Sequence, residues 1–223
     1  MSETTRLDLT GEAGNIEVAI NAVAQPRGIS IIAHPHPLFA GTMDNKVVTT
    51  LMRAFNDCGV TVWRFNFRGV GKSEGVHDEG LGEVRDAVQV VMAALASLGG
   101  AQNTATLPLF IGGFSFGGAV MLRVQLQLQL QAGFTRPMHC ALIAPAMWQR
   151  FGGETPPSVA LSSLIVHGDK DDTVALEEVM NWARPQGLPV TVIPDGEHFF
   201  HGRLPVLKDI TSNWCRGRLG QEI

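Results

Sequence analysis

Short apolar runs alternate with longer stretches of helical period along the chain, and this constrains the fold more than any other feature. The runs ISIIA at 29–33, LFIGG at 109–113 and SLIVH at 163–167 are continuously apolar rather than alternating, as strands covered on both faces are. The pattern predicts strands at 6–9, 16–22, 28–33, 61–67, 107–112, 139–144, 163–167 and 189–193, and helices at 47–57, 80–98, 117–131, 176–183 and 204–218. Strand and helix in turn make βαβ units, so the fold class is α/β. The expected core is a mostly parallel sheet of seven or eight strands flanked by helices, with room for an antiparallel start where two early strands adjoin. In such sheets ligands sit beyond the carboxyl ends of the strands, which directs attention to the residues there.

One segment conflicts with its local pattern. VQLQLQLQ at 124–131 alternates with period two, as a half-buried strand would. Leu and Gln are good helix formers, no β-branched residue follows Val124, and a crossover is needed at this place, so a helix is expected. Its leucines would fall on two sides, which predicts heavy burial.

Composition narrows the function classes. Charged residues make up 17% of the chain, the net charge is -4, and the 17 Lys and Arg residues are scattered, so no basic surface for nucleic acid is expected. No apolar run approaches the ~18 residues of a membrane span, and the first residues lack a signal-peptide pattern; a cytoplasmic protein is expected. Cys58, Cys140 and Cys215 are odd in number and widely spaced, which reads as reduced, packed thiols. At ~150 residues per domain the length stands between one domain and two; without a linker, one domain over 1–223 is expected.

Two Gly-x-Ser-x-Gly matches stand out, at 71–75 and 113–117. A nucleophile elbow needs a strand running directly into a tight turn and a helix, with small residues where the two backbones crowd. Ser115 lies between a buried run and the helical GGAVMLRVQL, whereas Ser73 is followed by the polar EGVHDEG. Ser115 is therefore the candidate nucleophile. A phosphate-loop reading of GVGKS fails because position 66 is Asn where that motif has Gly.

A serine hydroxyl needs a base, and the base needs a carboxylate to orient it. In this kind of fold the order is Ser, acid, His. His198, after the last strand, is the candidate base, with His201 as alternative; Asp171 in HGDKDDTV is the candidate acid, with Asp172 as alternative. Oxyanion donors are expected from the backbone N–H of Phe116, next to the nucleophile, and of His36 in the HPHP loop, with Leu38 as alternative, because prolines have no N–H. Leu38, Phe39, Met147 and Trp148 are candidate lining of an apolar acyl pocket. Neither the acid cluster nor the His-Pro-His pair has the further ligands of a metal site, and no cofactor is implied.

Together HPHP, GTMDNKV, RFNFRGVGKSEG, GFSFGG, HGDKDDTV and DGEHFFHGRL resemble the α/β-hydrolase superfamily, and most of all its small bacterial members without a cap domain, similar to dienelactone hydrolase. The resemblance implies a serine hydrolase acting on small carboxylic esters through an acyl-enzyme, with Ser115 as nucleophile, Asp171 as acid and His198 as base. A thioesterase, peptidase or acyltransferase, or a noncatalytic binding protein, is the alternative on the same frame. Ala175 stands where many relatives have proline. Only about a dozen residues, 148–159, occupy the place where relatives insert a cap, which predicts an open site.

Overall fold

The computed structural model describes residues 3–98, 107–147 and 156–220. Eight strands form one sheet: β1 (Thr4–Gly11), β2 (Gly14–Asn21), β3 (Gly28–Ala33), β4 (Val60–Phe65), β5 (Leu109–Phe114), β6 (Met138–Ile143), β7 (Leu164–Gly168) and β8 (Thr191–Ile193). The helices are α1 (Lys46–Asp57), α2 (Leu81–Ser97), α3 (Phe116–Gln129), α4 (Leu176–Ala183) and α5 (Leu204–Arg218). Spatial order is β1-β2-β4-β3-β5-β6-β7-β8. β1 pairs antiparallel with β2, and β2 with β4; all other pairs are parallel.

The apolar runs do what their continuity implies. Along β3, Ile29, Ile31 and Ala33 face one core while Ile32 faces the other, and Leu109 and Ile111 are likewise separated from Phe110 and Phe114 along β5. The first core is closed by α2, α3 and α4 through Val84, Val91, Val120, Val124 and Trp182; the second is closed by α1 and α5 through Val47, Leu51, Phe55, Leu207 and Cys215. Each inward face must be apolar because a helix covers it.

From β3 the chain crosses through α1 to β4 on one side, and from β4 through α2 to β5 on the other. The carboxyl ends of β3 and β5 thus flank a switch point, where adjacent loops diverge and leave a crevice.

The VQLQLQLQ segment is helical through Gln129, where α3 ends, but its burial is one-sided. Val120, Val124 and Leu128 pack against the core, whereas Leu126 and Leu130 are exposed. The sheet covers one face of α3 and α2 only one flank, so the outer leucines remain at the surface. There they border a depression of about 400 Å³ with Leu81 and Pro157, away from the crevice. The three cysteines are buried and free. Among the described residues no helix is long and apolar enough to cross a membrane.

Candidate active site

Ser115 occupies the turn between β5 and α3 with φ 55° and ψ −120°, a backbone conformation L-residues rarely adopt. The neighbours enforce it. Ser115 N–H donates to the Ile143 carbonyl at 2.9 Å, and its own carbonyl accepts from Gly118 and Ala146 N–H at 2.9 and 3.1 Å. A Cβ on Gly113 would collide with the Gly117 carbonyl, and one on Gly117 with the carbonyls of Ala33 and His34, so the pattern's glycines let β5, α3 and β3 approach backbone to backbone. The other match is built differently. Ser73 is buried, donates from Oγ to the Asn66 carbonyl at 2.7 Å and accepts from Glu17 N–H at 2.9 Å, tying β2 to the loop after β4.

The turn after β8 brings His198 over the strand ends, its ring 4.9 Å from that of Phe114. The close approach of that turn to β7 requires Gly168, since a Cβ there would strike the Gly196 backbone. His198 Nε2 lies 3.1 Å from Ser115 Oγ, and Nδ1 lies 2.7 Å from Asp171 Oδ2. With the carboxylate on Nδ1, that nitrogen carries the proton and Nε2 accepts from the serine hydroxyl.

Asp171 is anchored by its other oxygen, which accepts from Thr173 and Val174 N–H at 2.9 and 2.8 Å. Burial pushes its carboxyl up, but the His198 hydrogen bond and the two N–H groups outweigh this and hold it below the ordinary carboxylate range. The alternatives go elsewhere: Asp172 is exposed and accepts from Thr173 Oγ1, and His201 pairs with Glu197 at the surface.

Phe116 opens α3, and the His36 ring stands 4.8 Å from the Phe116 ring. Leu38 is removed as an alternative donor, because its N–H donates to His36 Nδ1 at 3.2 Å. A cavity of about 360 Å³ is lined by Ser115, His36, Leu38, Phe39, His77, Phe116, Ala146 and Val174, with Glu79 and Thr173 at its exposed rim. Leu38 and Phe39 therefore do line it. Met147 does not; it is buried in the core beside α3, and Ala146 takes the wall position, while Trp148 lies outside the described residues.

Two further histidines, His34 and His167, support the loops of the site. His34 is fully buried, accepts from Phe67 N–H at Nε2 (2.9 Å) and donates from Nδ1 to the Pro35 carbonyl (2.6 Å), fastening the loop that carries His36 to the end of β4. Burial lowers its pKa to about 4, so it is neutral. His167 donates from Nε2 to the Val174 carbonyl at 2.9 Å and lies 3.4 Å from Asp171 Oδ2, bracing the acid loop. Repetition of His in HPHP, and the His that opens HGDKDD, were the available signals; their partners are distant in sequence.

An eight-stranded, mostly parallel sheet with helices on both faces and a serine in the tight turn between a buried strand and a helix is the arrangement of the α/β serine hydrolase class. The chain belongs to the alpha/beta hydrolase domain family, whose profile matches residues 31–214. It is similar to a lid-less α/β serine hydrolase from Xanthomonas campestris, at 33% identity over 100% of this chain and 98% of that one, with a TM-score of 0.80. A serine hydrolase homologue from Coxiella burnetii has 32% identity, covers 96% of this chain and 97% of its own, and gives a TM-score of 0.75. An uncharacterized protein of Rickettsia prowazekii is 31% identical over 85% of this chain and 79% of its own length.

Proposed function

We propose that this hydrolase cleaves small carboxylic esters through an acyl-enzyme on Ser115, His198 and Asp171. The observation that carries the reading is the unbroken series from Ser115 Oγ through His198 to Asp171, at the edge of an open cavity. Ser115 Oγ attacks the ester carbonyl as His198 Nε2 takes its proton, forming a tetrahedral oxyanion. The N–H groups of Phe116 and His36 are the donors this reading assigns to that charge, a contribution typically worth about 100- to 1,000-fold per donor. His198 returns the proton to the departing alkoxide, leaving the acyl group on Ser115; water attacks the acyl-enzyme by the same route in reverse. Asp171 holds the imidazole in its working tautomer and stabilises the imidazolium. The cavity, open among the described residues, suits small or protruding acyl groups.

Labelling with a fluorophosphonate, compared among wild type, Ser115→Ala and Ser73→Ala, tests this. Ser115→Ala is expected to abolish labelling and ester hydrolysis, and Ser73→Ala to keep both at whatever level its folding allows. Labelling that survives Ser115→Ala, or its absence from wild type, would overturn the reading. Parallel assays with acyl-CoA and peptides test the ester class itself.

A further inference from the structure

His77 takes no part in the Ser115–His198–Asp171 series, yet it shares a cavity wall with the serine. Behind it stands Glu83, fully buried in the first turn of α2. Glu83 Oε2 accepts from Gly80 N–H at 2.9 Å, and Oε1 accepts from Asp78 N–H at 3.1 Å and lies 2.8 Å from His77 Nδ1. A carboxylate that already gathers two backbone N–H groups takes a third hydrogen from the ring at Nδ1, which leaves Nε2 as the nitrogen that can accept from a bound group. The ring is held in place by the His36 ring at 4.8 Å and the Phe116 ring at 5.6 Å.

The His77 side chain is only 8% exposed, and what remains open faces the cavity. Among the described residues no group hydrogen-bonds Nε2. Apolar Leu38, Phe39, Phe116, Ala146 and Val174 make much of the surrounding wall, with Glu79 and Thr173 out at the exposed rim, so His77 is a preoriented acceptor set within the cavity that holds Ser115. Such a placement fixes orientation and selects for a matching donor.

We infer that His77 selects esters whose acyl group carries a hydroxyl, accepting a hydrogen bond from that hydroxyl while the carbonyl is seated at Ser115. This rests on the ester hydrolase reading above. The Glu83 carboxylate acts through the ring, as a positioning residue that sets its tautomer.

The test compares kcat/KM for ethyl 3-hydroxybutanoate and ethyl butanoate at pH 8, above the ordinary imidazole range. Wild type is expected to favour the hydroxy ester by about 2- to 10-fold, the span of one neutral hydrogen bond. His77→Phe keeps a ring against His36 and Phe116 and should bring the ratio to about one. His77→Gln, whose amide can donate to Glu83 and accept the hydroxyl, should restore part of the preference. Fluorophosphonate labelling reports whether each variant retains an assembled elbow; if His77→Phe does not, wild type and His77→Gln decide. A wild-type ratio near one, or one unchanged in His77→Phe, overturns the inference and leaves the esterase reading intact. A wild type that neither labels nor hydrolyses either ester removes both.

Discussion

At the scale of single residues, what could be read in advance depended on whether a residue's partners are its sequence neighbours. Ser115 could be separated from Ser73 because an elbow is a local object, a buried strand meeting a helix with no polar spacer. Asp171, rather than Asp172, faces His198 because an Asx turn onto Thr173 and Val174 aims it there, and the motif already contained that turn. His34 and His77 were not legible, since the Phe67 amide and the Glu83 carboxylate reach them only after the sheet and α2 are assembled. His34 has a measurable consequence. Its pKa is about 4 when folded, against the ordinary 6.5 in the unfolded chain, so between those values the unfolded chain binds a proton that the folded one does not. Stability is therefore expected to fall as the pH drops from about 6.5 to about 4 and to level off below. The contribution of His34 is on the order of 3 kcal/mol. Urea midpoints measured across this range should fall less in His34→Gln than in wild type; equal falls would remove His34 as the cause.

Elements were more legible than their ends. All eight strands and five helices of the described residues lie where the apolar runs and helical periods place them, most closely where a run is buried on both faces, as in β3, β4, β5 and β7, whereas β1 and β8 at the sheet edges are largely exposed. The boundaries shift at the ends: pairing with β6 carries β5 on to Phe114, directly before Ser115, and a local cap, Asn45 Oδ1 accepting from Val47 N–H at 2.8 Å, starts α1 a residue early. Helix α3 is the informative failure, since periodicity shows which sides of a helix are apolar but not which of them a neighbour will cover. Its leucines should divide sharply. Leu122→Ala and Leu128→Ala are expected to cost about 2–5 kcal/mol, whereas Leu126→Gln and Leu130→Gln should stay within about 0.5 kcal/mol of wild type, read from denaturant midpoints.

Over the whole molecule, low charge content means that a buried ion pair matters individually. Arg68, in the loop after β4, makes a bidentate pair with Asp86 of α2, at 2.8 Å from Nε and 2.9 Å from a terminal nitrogen, and both side chains are buried. The Asp86 hydrogen bond holds the Arg68 guanidinium above its ordinary pKa despite burial. Asp86→Ala leaves that buried cation with only the half-exposed Asp78, 3.9 Å away, and is expected to cost about 3–5 kcal/mol in chemical denaturation. Arg68→Met combined with Asp86→Leu should recover most of the loss, because what destabilises is the unpaired charge. Matching midpoints for the single and double variants would contradict this.

The left-handed backbone at Ser115 places the proposed reactivity and stability in opposition at one position. Strain of this kind costs on the order of 1–3 kcal/mol and persists only because the surroundings impose it. Ser115→Gly can occupy the same φ without a Cβ penalty, while Ser115→Ala inherits it, so the glycine variant is expected to melt above the alanine one even though glycine is ordinarily the more destabilising substitution. Selection for folding alone would place glycine at 115; a side chain there is retained against the preference of its own backbone.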